Sequence, residues 1–258
     1  MGMCFGNNFM KGGDLLMKKF IALFVILAFS VVTAFAALVT EYQYVGGQYS
    51  NGDTNLTFHV STLDLINGVV GTMSSGGFHF ATQPADNTAR LATLTDGIWS
   101  SNGLTVIADD TDGGVPVLVV EYTFSATPIY DIIIFAGHDG DGARGWINCL
   151  VEVNTGSGYT TLMNEVKSGL YGDLPAAAVS SFVRLYDSAQ AAIATGVIGL
   201  RFSFYDVSHN SGASFFQKYD DNTTNPPLNY PNQGTILKEI DVYNTPPVEA
   251  GCVYWTVY

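Results

Sequence analysis

Cysteine, basic side chains and helical periodicity are all scarce in this chain, and each scarcity closes off a class of protein. Three cysteines occur in 258 residues, with no Cys-x-x-Cys pair and no Cys/His cluster, which argues against a zinc scaffold or a disulfide-dense miniature fold. Lysine and arginine total 10 against 23 acidic residues, net −13, so the chain has little with which to neutralise the phosphates of nucleic acid. A bare anionic membrane is disfavoured by the same repulsion. The four histidines, His59, His79, His138 and His209, show no H-E-x-x-H spacing. No serine stands in a G-x-S-x-G elbow, so the common hydrolase signatures are missing.

What is present begins with an export signal. Met17 is followed by Lys18 and Lys19, an uncharged run from Phe20 to Val32, and Ala34-Phe35-Ala36. A charged start, an apolar middle and a small-x-small end are what signal peptidase reads. The run is short for a bilayer span of about 20 residues. Cleavage before Ala37 is therefore expected, with no membrane insertion afterwards and a secreted or cell-surface destination. Residues 1–16 precede this signal and receive no function. Without residues 1–36 the chain loses Lys11, Lys18, Lys19 and Asp14, leaving 7 basic and 22 acidic side chains, net −15. Of the cysteines, Cys149 and Cys252 remain; outside the cytoplasm a bridge is permitted, and the sequence leaves their pairing open.

Beyond the signal, short runs of Val, Ile, Phe, Tyr and Thr alternate with clusters of Gly, Asn, Asp and Ser, which is the pattern of strands and turns. Strands are expected at Val115 to Phe124, Ile129 to Ala136, Ile147 to Val153, Tyr159 to Met163, Phe182 to Tyr186, Val197 to Tyr205 and Ile236 to Val242. Asn154-Thr155-Gly156-Ser157-Gly158 supplies a turn that makes a hairpin of the third and fourth. One short helix is expected at Leu174 to Val179, with Pro175 in its first turn. Many short antiparallel strands imply an all-β fold, a jelly-roll β-sandwich, in a single domain within residues 37–244. Residues 245–258 form a tail or the start of a further module. The stretch from Ser208 to Gly234 carries no strand pattern, and a loop of that length in a compact domain is usually functional or disordered.

Candidate chemistry gathers in turns and loops. Asp110-Thr111-Asp112-Gly113 and Asp139-Gly140-Asp141-Gly142 each place two carboxylates before a glycine, like the opening of a calcium loop, yet they also suit any β-turn and continue into no EF-hand. Phe215, Phe216, Tyr219 and Tyr230 lie beside Asn210, Gln217, Asp220 and Asp221. Aromatic faces and amide hydrogen bonds together suit a sugar ring, and the same aromatics could equally anchor the loop itself. Arg144 can fork onto hydroxyls or pair with Asp139 or Asp141.

The order of motifs from Leu91 onward resembles the discoidin, or coagulation factor 5/8 C-type, branch of the galactose-binding-like domains. It is carried by Leu94-Thr95-Asp96-Gly97 with Trp99, by Val117 to Phe124 and by Ile129-Tyr130-Asp131-Ile132-Ile133-Ile134. It continues through Arg144 before Ile147 to Val153, Gly156-Ser157-Gly158-Tyr159, Gly199-Leu200-Arg201-Phe202 and the closing Glu239-Ile240-Asp241-Val242. The resemblance implies an eight-stranded jelly roll and non-catalytic binding of a glycan through loops at one end. Here those loops would include Phe215, Phe216, Tyr219, Asn210 and Arg144. It also implies a structural Ca2+ near the L-T-D-G turn and the closing glutamate, which would be Asp96 and Glu239. The alternative is a structural or adhesive surface domain without a small-molecule ligand.

Overall fold

Alternation decides which residues of this chain turn inward. A computed structural model describes residues 37–46, 60–78, 86–98, 105–106, 116–137, 147–167, 179–205, 207–210, 213–216 and 235–246. All lie in the second of two units, Met1–Ala36 and Ala37–Tyr258, into which the chain's contacts divide it. Its strands are β1 (Leu38–Gly46), β2 (Thr72–Gly76), β3 (Thr105–Val106), β4 (Leu118–Ile129), β5 (Asp131–Gly137) and β6 (Asn148–Asn154). They continue as β7 (Tyr159–Lys167), β8 (Val179–Asp187), β9 (Ala194–Phe204), β10 (Val207–Asn210), β11 (Ala213–Phe216) and β12 (Ile236–Tyr243). Sheet A has the order β1-β8-β5-β12-β3 and sheet B the order β2-β4-β9-β6-β7, antiparallel throughout. The fold is an all-β sandwich.

On sheet A, Ile132, Ile134, Val183, Leu185, Ile240 and Val242 face the second sheet and are buried in one cluster with Leu118, Val120, Tyr122, Leu200, Phe202 and Phe204 of sheet B. Tyr122 meets Phe202 edge-on at 6.0 Å, and Phe202 lies against Phe204 at 6.4 Å, spacings at which ring quadrupoles attract. Cys149 is a free thiol buried in this core, and burial pushes its pKa up, so it behaves as a small apolar residue. Among the described residues no helix is long and apolar enough to cross a membrane.

Several expectations need correction. The stretch from Ser208 to Gly234 is not free of strands: β10 and β11 pair as a hairpin, Val207 opposite Phe216. Four residues a side are too few for alternation to show above composition. The break expected after Phe124 is also absent, since β4 runs on through Pro128 to Ile129, with its register to β9 shifting on either side of Thr127. Proline is tolerated there because the irregular ladder demands no N–H. Of the helix expected at Leu174 to Val179, Val179 opens β8 instead, and the rest lies outside the described residues. Among the described residues a helix forms elsewhere, α1 (Asn87–Ala92), capped by Asp86, whose Oδ1 accepts from Thr88 N at 3.1 Å. The hairpin of β6 and β7 stands as expected, Asn154 opposite Tyr159.

Because Phe202 is fully buried at the centre of both ring contacts, Phe202→Ala should cost about 3–5 kcal/mol of unfolding free energy in a urea titration. Thr161→Ala on the exposed face of β7 should change it by less than about 0.5 kcal/mol.

Candidate functional site

The closing strand, β12, alternates apolar and acidic residues as Glu239-Ile240-Asp241-Val242, and this alternation creates the site. β5 pairs with one edge of β12, with a bulge between Leu237 and Glu239. β3 covers the other edge only at Ile236 and Leu237. Two loops serve the remainder of that edge, residues 60–69 and residues 93–98. Ile240 N donates to Leu94 O at 2.7 Å, Leu65 N donates to Val242 O at 2.7 Å, and Val242 N donates to the Asp64 Oδ1 at 3.3 Å. A carboxylate thus stands where a neighbouring strand would offer a carbonyl.

The loops are tied to each other as well. Thr95 Oγ1 donates to Val69 O at 2.7 Å and Gly68 N donates to Thr95 O at 2.5 Å. Gly97 completes the join: its φ is +70°, and a Cβ there would lie 2.7 Å from Thr62 Cγ2 and 2.8 Å from Asn67 Oδ1. With no side chain in the way, Gly97 N reaches Glu239 Oε1 at 3.1 Å, across 142 residues of sequence. Asp96 folds back on its own loop, Oδ1 accepting from Ile98 N at 2.9 Å, while its carboxyl contacts that of Glu239. Asp64 Oδ1 also accepts from Ile66 N at 2.9 Å, and Asp241 Oδ2 accepts from Ser61 N at 2.8 Å and from the Tyr243 hydroxyl at 3.2 Å.

Four carboxyl groups, Asp64, Asp96, Glu239 and Asp241, therefore crowd one seam. Glu239 and Asp241 are fully buried. Glu239 is pushed up to about 9, first by burial and then by Asp241, Asp96 and Asp64, all of its own sign; the Gly97 N–H offsets part of this. Asp241 is pushed up to about 8 by burial and then by Asp64, against the pull of Ser61 N–H and the Tyr243 hydroxyl. Burial also raises Asp64 and Asp96, and it raises the phenols of Tyr122 and Tyr243, to which Glu239, Asp64 and Asp241 add. Asp64 Oδ2, Glu239 Oε2, Asp241 Oδ1 and the Tyr122 hydroxyl are buried without a hydrogen-bond partner among the described residues. So is Asp131 Oδ1, although Asp131 Oδ2 takes Arg184 Nε at 2.7 Å and Arg184 stacks on Tyr186.

Carboxylates in contact cannot all ionise; they share protons or gather on a cation. Chemically the set suits calcium, which takes hard oxygen ligands from Asp, Glu and backbone carbonyls. As they stand, no three Asp, Glu, His or Cys side chains among the described residues form a ready metal shell.

A second charged group lies on the outward face of sheet B, in a row running Thr72, Glu121, Arg201, Glu152 and Thr161 across all its strands. Arg201 forks onto Glu152 at 2.6 and 2.7 Å, stacks on Tyr159 at 4.4 Å and lies 3.9 Å from Glu121. Its charges satisfy each other, and its role is to lock the register of neighbouring strands.

The sequence-based candidates divide accordingly. Asp96 and Glu239 meet, whereas Asp64, Asp241 and Tyr122 were missed. Asp241 alternates with apolar residues as any outward acid of a strand does, so nothing in the sequence marks it, and nothing marks Asp64. Asn210 lies on β10 and Phe215 and Phe216 on β11, and only their strand positions are described. Tyr219, Arg144 and the turns at Asp110 and Asp139 lie outside the described residues. No protein-family model, curated protein or solved structure matches the chain.

Raised folded-state pKa values set the sign of a pH dependence. Between the unfolded values near 4 and the folded values of about 8 and 9, the native state holds more protons than the unfolded one at Asp241 and Glu239. Their contribution to stability is complete below the unfolded values and is lost as pH rises through the folded ones. In chelator, the melting temperature should therefore fall by several degrees from pH 5 to pH 9. Glu239→Gln, which imitates the protonated carboxyl, should flatten that fall; an equally steep profile in the variant would remove Glu239 as its source.

Proposed function

We propose that the protein is an exported, non-catalytic glycan-binding module of the discoidin-like kind, with a structural calcium ion that uses Asp96 and Glu239. The observation that carries this reading is the meeting of Asp96-Gly97 with Glu239, the two motifs near the ends of the resemblance, through Gly97 N–H and a carboxyl contact. Further support comes from the sandwich itself and from the second compact unit, which begins at Ala37, the expected start of the mature chain. The ligand is a neutral or weakly charged glycan, because a net charge of −15 on residues 37–258 repels polyanions. Aromatic stacking by Phe216 or Tyr219 with a few hydrogen bonds, aided by Phe215, Asn210 and Arg144, supports about −4 to −6 kcal/mol, so dissociation constants are high micromolar to millimolar.

A structural or adhesive surface domain is the second reading. It is favoured by the outward charges of sheet B, where Arg201 is engaged by Glu152 and Tyr159 rather than presented to a ligand.

Titration of residues 37–258 with a broad oligosaccharide panel should show weak saturable binding that Phe216→Ala or Tyr219→Ala reduces at least about tenfold, equivalent to 1.4 kcal/mol. Absence of binding at millimolar sugar would give the structural reading precedence. Calcium should raise the melting temperature relative to chelator by mass action, and equal melting curves would dismiss the ion.

A further inference from the structure

We propose that the linked 60–69 and 93–98 loops dock a basic protein partner, with Leu63 and Ile98 entering an apolar recess rimmed by lysine or arginine. This goes beyond the reading above and needs neither the glycan nor the ion. Among the described residues five large apolar side chains stand exposed, and three of them gather here: Leu63 at 92%, Ile98 at 57% and, just past the first loop, Val70 at 46%. Exposed aliphatics scattered singly are ordinary; a group on two linked loops is not. Gly97 brings the tips together, since a Cβ there would lie 2.7 Å from Thr62 Cγ2 and 3.1 Å from Ser61 O. Leu63 follows Thr62 in the chain, and Ile98 follows Gly97. Val70 follows Val69, whose carbonyl accepts from Thr95 Oγ1. The core has no call on these three: Ile66 and Leu94 already fill it from the same loops, and Leu65 and Val69 pack against it.

Both tips are carried on backbone that is already fixed. Leu63 N donates to Ser61 Oγ at 3.0 Å while Ser61 N donates to Asp241, and Ile98 N donates to Asp96 Oδ1 while Gly97 N donates to Glu239. β12 is therefore the footing on which two aliphatic side chains are held out. Little ordering remains to be done when a partner arrives, which is the condition under which apolar anchors bind well. Charge selects the occupant. Residues 60–78 and 93–98 contain two acids, Asp64 and Asp96, and no lysine or arginine. Asp64 adjoins Leu63 and Asp96 lies two residues before Ile98, each acid partly exposed, so every tip has a carboxylate beside it. Residues 37–258 carry net −15, so a second copy meets this face with the same sign, and so does an anionic bilayer. A protein surface that sets lysine or arginine around an apolar recess answers both features, burying the tips and opposing the acids.

The test uses residues 37–258 in chelator, with a fluorescein-labelled peptide of alternating leucine and lysine as the probe. Control peptides replace its leucines by serine or its lysines by glutamate. Wild type should bind the leucine–lysine peptide saturably and at least about tenfold more tightly than either control, and more weakly as salt rises. Leu63→Ser combined with Ile98→Ser should lower that affinity at least about tenfold, with the melting temperature unchanged because both side chains are exposed. Leu63→Lys should weaken binding by repulsion and stands in should the double variant melt lower. Equal binding by wild type and these variants would overturn the proposal, as would no binding by wild type. Equal binding of the leucine–lysine and serine–lysine peptides would overturn it too, leaving only general attraction to an acidic surface. Phosphatidylcholine vesicles and sedimentation equilibrium are run alongside. Vesicle binding or dimerisation that the double serine variant abolishes would replace the basic partner by a lipid surface or by a second copy. The oligosaccharide titration is independent of all these readouts, so its failure with peptide binding intact would remove the glycan reading and leave this one.

Discussion

A strand whose neighbour is short must satisfy a row of backbone groups without a strand beside it, and β12, which β3 covers only at Ile236 and Leu237, meets that requirement with loops. Leu94 O, Leu65 N and the Asp64 carboxylate serve its outer edge. The arrangement protects the edge from pairing with another chain. It also forces the 60–69 and 93–98 loops onto a strand whose alternate residues are Glu239 and Asp241. Burial of those acids, their raised pKa values and their unpaired oxygens all follow from closing the edge in this way.

The two charged groups of the sandwich show how much depends on the company a carboxylate keeps. On sheet B, Glu152 is buried too, yet Arg201 answers both its oxygens. In the seam, the charges that bear on Glu239 are acidic. The first arrangement is complete and makes structure; the second is incomplete and invites a proton or a cation.

The sandwich was legible because its central strands are long enough to show alternation, as in Val117 to Phe124 and Ile236 to Val242. The helix at Asn87–Ala92 and the hairpin of β10 and β11 escaped because six or four residues carry too little periodicity. The pair Asp96 and Glu239 came from motif order. Asp64 could not have been found that way, since its importance arises from a contact with Val242 N that spans 178 residues. Asp241 reads as an ordinary outward residue of a strand until one knows that the loop carrying Ser61 covers it.

A chain is made from its amino terminus, and β12 is the last strand of sheet A to appear. Until it does, β5 lacks one of its two neighbours, and the loops that carry Asp64 and Asp96 have nothing to grip. Apart from the β6–β7 hairpin, both sheets are stitched by partners distant in sequence, so little other native structure can be locked in during elongation. The sandwich therefore behaves as a latch that β12 throws, since its arrival gives β5 a second neighbour and both loops a strand to grip.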